Sequence, residues 1–341
     1  MSVGLFRRFS RSACAAAGAF LVLVAFAPLA GAQAAAPRAP GPEQGSADGL
    51  FRSATAALAA KNYAAAEEAF RRVRELEPKN HRGLMGLVQT YLAQRRFDEA
   101  TRLLETESSA DPASPDLNVA LGNVYVATGK WDQAISQFQK VLDATDKGTK
   151  AAGEIYLALG ETYLRKNDQA SAISALKNAR QTLPNDPRVL SPLALMLEAA
   201  SSWEAQQAYE DAVRVDPNNA ILLNNLAFSL AEHGGDLDRA LSLARRAQRL
   251  APTMAEIADT VGWICLKKGM LYEARAAFAP LVQKDPGNTT FRAHLAMALD
   301  QKGEANPGLQ ALLKALRAKP TDSNLRQILD LLKSTGLPVS H

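Results

Sequence analysis

From about residue 47 apolar residues recur with helical spacing, in stretches that close near Pro78, Pro112, Pro184, Pro217, Pro252, Pro286 and Pro320. Successive gaps are 34, 72, 33, 35, 34 and 34 residues, and the long one splits into 34 and 38 with Asp146 in the proline position. Twelve residues before each of these points stands a small residue: Ala66, Ala100, Ala134, Ala172, Ala205, Ala240, Ala274 and Gly308. Eight before it stands a larger apolar one, Phe70, Leu104, Phe138, Leu176, Tyr209, Phe278 or Leu312, with Ala244 the exception. Small residues let helix backbones approach and large ones fill the remaining gaps. Proline has no N–H to continue a helix, so it fixes the turn after each pair. The pattern predicts an all-α chain of about eight antiparallel helix pairs, helix A and helix B, whose apolar stripes are buried by stacking pair on pair.

In the A helices, Leu121-Gly122 with Tyr125 and Leu159-Gly160 with Tyr163 complete the pattern. Together with the 34-residue period it resembles the tetratricopeptide repeat, over about residues 47–320. The resemblance implies a right-handed superhelical solenoid whose A helices line a concave groove for a protein or peptide partner. Transferred position by position, it assigns the groove to Gln89, Asn123, Glu161, Arg165, Asn224, Asn225, Phe228, Asp259, Trp263 and His294. The front of that groove is polar, and Phe228 and Trp263 make the back more apolar. Trp263 has two readings, a groove anchor following the packing residue Gly262 or a core residue; Phe228 likewise reads as groove or as partly core, and Asn224 and Asn225 as contacts to a peptide backbone or as helix-capping neighbours. The family's clamp for acidic chaperone tails is not reproduced, since Met85, Gln89, Asp116 and Ala120 are of the wrong type.

The flanks read differently. Arg7, Arg8 and Arg11, then an apolar run from Ala13 to Ala27, then Ala30-Gly31-Ala32 have the layout of a secretory signal peptide over 1–32. An uncleaved membrane anchor is the alternative, although Pro28 interrupts the run. Residues 33–46 read as a flexible linker. Repeats 1–3 then occupy 47–146 and repeats 4–8 occupy 151–320, with the polar insertion Asp143–Lys150 as a joint between them. The stripe Leu325, Ile328, Leu329 and Leu332 predicts a capping helix over 321–338. His233-Gly234-Gly235-Asp236 lengthens one turn and calls for a glycine at positive φ.

Loss of the leader lowers the formal charge from +4 to +1, which argues against nucleic acid as a partner. It would also leave Cys265 as the one thiol, so no internal disulfide can close. His81, His233, His294 and His341 lie apart without metal-ligand spacing, Cys265 falls on an apolar stripe, and Glu67-Glu68 and Lys267-Lys268 read as solvated faces. The expectation is a non-enzyme without cofactor or metal, exported to the periplasm or beyond. It would be a scaffold for a partner in an envelope assembly or polysaccharide-export system, because the stretches Leu223–Ala227, Gly235-Asp236-Leu237 and Ala258–Ile264 resemble repeat proteins of bacterial exopolysaccharide and exosortase-linked clusters. A periplasmic holding factor for unfolded chains and a carbohydrate-binding module are the alternatives, so polysaccharide contact stays open.

Overall fold

The computed structural model of the protein describes residues 46–198, 202–300 and 307–318. The expected signal segment, all but the last residue of the linker, and the capping helix lie outside the described residues. The described chain is all-α. Sixteen helices follow one another as A and B partners: α1 (Ala47–Ala59), α2 (Tyr63–Leu76), α3 (Arg82–Ala93), α4 (Phe97–Ala110), α5 (Pro115–Ala127), α6 (Trp131–Asp143), α7 (Lys150–Arg165) and α8 (Gln169–Thr182). Then come α9 (Pro187–Leu197), α10 (Ser202–Val215), α11 (Ala220–Glu232), α12 (Leu237–Leu250), α13 (Ala255–Lys267), α14 (Leu271–Lys284), α15 (Thr289–Asp300) and α16 (Pro307–Arg317). The chain divides into two compact units between Thr182 and Leu183, with four helix pairs in each.

The expected joint at Asp143–Lys150 is not this division. Its turn is tied down by Thr145 Oγ1 donating to the Val141 carbonyl (2.6 Å) and Thr149 Oγ1 donating to the Asp146 carbonyl (2.7 Å). One hydrophobic cluster holds Val141 and Leu142 before it and Ala152, Ile155 and Leu159 after it. The insertion is polar yet interrupts no packing, so the unit boundary falls one helix pair later.

The small and large positions do what their sizes require. Ala66, Ala100, Ala134, Ala172, Ala205, Ala240 and Ala274 are fully buried, and Phe70, Leu104, Phe138, Leu176, Tyr209 and Phe278 nearly so. A Cβ added to Gly122 or Gly262 would come within 2.6 Å of the Phe138 or Phe278 ring, so glycine is what lets helix A lie on helix B. The A helices of neighbouring repeats also touch directly: α1 with α3 in the first unit, α11 with α13 and α13 with α15 in the second.

Six A helices end alike. Asn62, Arg96, Lys130, Asp168, Gly235 and Met270 donate their N–H groups back to Ala57, Tyr91, Tyr125, Tyr163, Leu230 and Cys265, at 2.8–2.9 Å. This closure needs a left-handed residue just before the donor. Gly129, Gly234 and Gly269 fill it at φ 73–75°, and Lys61, Arg95 and Asn167 fill it at φ 59–65°.

Candidate functional site

The residue directly after the small packing residue of each A helix points away from the B helix that this packing residue touches. In the second unit that position holds Leu195, Phe228, Trp263 and Met297 on α9, α11, α13 and α15. The first three are partly buried, while Met297 stays 49% exposed. Ile221, two turns before Phe228 on α11, is 55% exposed. The second unit therefore carries an apolar row, one side chain per repeat, across its A helices. Sequence reasoning found Phe228 and Trp263 but missed Leu195, Met297 and Ile221. The signal was available, since Leu195 and Met297 follow Ala194 and Ala296, which are 0% and 3% exposed.

Three of the assigned groove residues, Asp259, Trp263 and His294, meet in one cluster. Asp259 and Trp263 are four residues apart on α13 and so share a face. His294 on α15 donates from Nδ1 to Asp259 Oδ1 (2.8 Å), stacks on the Trp263 ring (4.7 Å between centroids, 29° between planes) and leans on Phe278. Trp263 Nε1 donates to Glu232 Oε1 on α11 at 2.7 Å. Lys267 Nζ pairs with the same carboxylate at 2.6 Å, donates to the Ala231 carbonyl at 2.9 Å and lies over the Trp263 ring. Glu232 and Lys267 were not among the residues the sequence assigned. Trp263 falls between its two readings: part of it is exposed, but its N–H and its ring are already used to tie α11, α13 and α15 together.

The remaining assigned residues do not gather. Asn224 and Asn225 are half-buried on α11, and the buried Asn224 Oδ1 has no hydrogen-bond partner. Gln89, Asn123 and Glu161 are half-buried on α3, α5 and α7, and Arg165 is exposed at the end of α7. They occupy the first unit's version of the same face. Two charge runs read as solvated faces are engaged instead. Glu67 accepts from Arg71, Arg96 and Gln94, bridging α2 with α3 and with the start of α4. Lys267 and Lys268 are tied to Glu232 and Asp238. A side chain at a repeat junction reaches the neighbouring repeat, which a reading along a single helix does not show. Cys265 is buried, and burial pushes its thiol pKa up, away from the range of a reactive thiolate.

A second polar group lies where α9 ends. Glu198 caps that helix, and its buried carboxylate lies beside the Ser229 hydroxyl on α11, with no other hydrogen-bond partner for either group. His233 Nδ1 stands 3.6 Å from the carboxylate but donates to the Ser229 carbonyl at 3.0 Å. Burial pushes the Glu198 carboxyl above the usual carboxylate range, with Glu232 adding to the effect and Ser229 and His233 opposing it. Among the described residues no three His, Cys, Asp or Glu side chains converge as metal ligands, and no helix is long and apolar enough to cross a membrane.

Comparison with known proteins agrees with this architecture. Tetratricopeptide-repeat models match residues 57–107, 115–185 and 203–255, together just over half of the chain. A repeat-containing protein of Pseudomonas aeruginosa is 25% identical over 207 residues, covering 60% of this chain and 34% of its own length. Cellulose synthase operon protein C of Xanthomonas axonopodis pv. citri is 28% identical over 260 residues, covering 72% of this chain and 15% of its own. The chain thus spans about a third or less of either relative. Among solved structures, the C-terminal part of a tetratricopeptide-repeat protein from Cytophaga hutchinsonii superposes with a TM-score of 0.55 at 20% identity, covering 72% of this chain and 99% of that one. With eight helix pairs, small residues at the helix crossings and three matched stretches, the chain belongs to the tetratricopeptide-repeat family.

Proposed function

We propose that the chain is an exported, non-enzymatic scaffold that docks a protein or peptide partner on the A-helix face of its second unit. The observation that carries this reading is the row Leu195, Phe228, Trp263 and Met297, with Ile221 beside it. Met297 and Ile221 remain about half exposed where the core has no use for them. Apolar side chains repeated on one face offer a continuous strip for an apolar partner, and such strips mark interaction sites. The likeness to cellulose synthase operon protein C and the leader-like residues 1–32 support a place in an envelope assembly or polysaccharide-export system.

The test is capture of partners from envelope extracts on immobilised protein. Ile221→Asp with Met297→Asp should abolish capture while leaving helix content unchanged, and Gln89→Asp should leave capture intact. Capture that survives the double substitution contradicts the reading. Export is tested by sequencing the N-terminus of the periplasmic form, which should begin near Gln33.

A further inference from the structure

We infer that the A-helix face of the second unit selects a partner segment carrying a basic side chain, seated where the Glu198 carboxylate lies short of donors beside the apolar row. The inference rests on the docking reading above and names the chemistry of what docks. Three observations lead to it. First, the unpartnered atoms are oxygens. Glu198 Oε1 and Oε2 and the adjacent Ser229 hydroxyl, on a fully buried residue, have no partner besides one another. The Ser229 hydroxyl can turn to donate to one Glu198 oxygen, which leaves the other oxygen without a donor; buried polar atoms are normally satisfied, so that oxygen calls for a donor from outside.

Second, the negative charge is not compensated within the unit. The donors nearby are committed: Lys267 to Glu232 and the Ala231 carbonyl, and the His233 Nδ1 proton to the Ser229 carbonyl. From the elements packed around it, Glu198 faces Tyr209 on α10, Ser229 and Glu232 on α11, and His233 just beyond α11; none of these supplies a full positive charge in hydrogen-bond contact. Glu198 also caps the C-terminal end of α9, where the helix dipole adds negative potential and favours a cation. Third, the carboxylate is within reach. The Glu198 side chain keeps 18% exposure, so a change of rotamer brings its oxygens to a docked ammonium or guanidinium. Glu198 follows Leu195 of the apolar row by three residues and so lies on the same side of α9, which makes an apolar contact and a charge-assisted hydrogen bond available to one segment.

The row also sets a spacing. Along the row, α11 touches α13 and α13 touches α15; helices in direct contact are about 8–10 Å apart, and an extended chain rises about 3.3 Å per residue. A segment laid across them therefore meets one row position roughly every third residue.

The experiment uses labelled 13-residue peptides with Leu at every third position and Ser between, alike except for a Lys, Gln or Glu near the centre. Anisotropy titration of the full chain should rank Lys above Gln above Glu, with roughly a tenfold step from Gln to Lys. Glu198→Gln should erase the Lys advantage and leave the Gln peptide unchanged, with helix content checked by circular dichroism. Affinity for the Lys peptide should fall as pH drops and Glu198 takes up a proton, while the Gln peptide stays flat. Equal binding of Lys and Gln peptides, or a Lys preference that survives Glu198→Gln, overturns the inference. Should none of the peptides bind while partner capture still depends on Ile221 and Met297, the basic-group inference fails and docking stands. If capture is also indifferent to Ile221 and Met297, docking fails with it.

Discussion

In the first unit the residue after the packing glycine of α5 and α7 is Asn123 or Glu161, Gln89 follows Val88 at the matching place on α3, and four residues earlier stands Val119, Leu157 or Met85. In the second unit the apolar side chains occupy the later position, Leu195, Phe228, Trp263 and Met297, and the earlier one holds Ser191, Asn224, Asp259 and Ala293. The order is inverted on the same frame. Met85 and Val119 pack against the first unit's core and Leu157 is buried in it, so that face is closed by its own apolar residues and rimmed with polar ones. The frame itself, alanine against phenylalanine or leucine, is the same in both units because it is set by the A-to-B crossing. The A-helix face is free of that constraint, which is why function can be written there.

The comparison can be broken at several strengths. The largest effect is expected at Gly83, where an added Cβ would lie 2.7 Å from the backbone nitrogen of Arg74, an atom that cannot turn aside. Gly83→Ala should cost about 2–3 kcal/mol. Gly262→Ala meets the Phe278 ring instead, which can shift, and should cost less. Hydrogen exchange should show each loss confined to its own unit, as expected for stacked repeats; a uniform loss through all sixteen helices contradicts the division at Thr182.

Next comes Trp263. Trp263→Ala removes its hydrogen bond to Glu232 and its stack on His294, and should cost about 2 kcal/mol of second-unit stability, with Trp263→Phe costing about 1. If melting is unmoved by either, the aromatic cluster ties nothing together and Trp263 is purely a surface residue.

Smaller effects should separate the two ways of turning from helix A to helix B. The first unit holds Lys61, Arg95 and Asn167 at positive φ, where an L side chain is strained, with Gly129 the exception, whereas the second uses Gly234 and Gly269. Arg95→Gly should raise stability by about 1 kcal/mol in thermal melts, and Gly269→Arg should lower it by a similar amount. An unchanged midpoint for both would mean that the closing hydrogen bonds already absorb the strain.

The smallest effect is pH-dependent. Because burial raises the folded-state pKa of Glu198, that group favours folding below the unfolded carboxyl range and loses the contribution as pH rises through its raised value. Glu198→Gln should therefore be slightly more stable than wild type at pH 8 and no more stable at pH 4. The reverse order would show that the carboxylate is satisfied when ionised.

How far the sequence could be read depends on what each residue touches. The helix pairs were legible because proline, alanine and phenylalanine recur at fixed offsets imposed by one packing contact repeated along the chain. Cys265 in the core and the positive φ of Gly234 were legible for the same local reasons. The groove was legible only in outline. Met297 and Leu195 look like core residues in a sequence, since exposure depends on the neighbouring repeat. His294, assigned to the groove, spends its ring on Asp259, Trp263 and Phe278, contacts made across 35, 31 and 16 residues of chain. The Glu232–Lys267 pair is likewise an agreement between two repeats, and no single repeat shows it.

The central claim is that the second unit's A helices, and not the first unit's, receive the partner. Hydrogen exchange of the full chain with and without the captured partner tests it most directly. The account predicts slowed exchange along α9, α11, α13 and α15, with α3, α5 and α7 unchanged. Slowing confined to α3, α5 and α7 would contradict it.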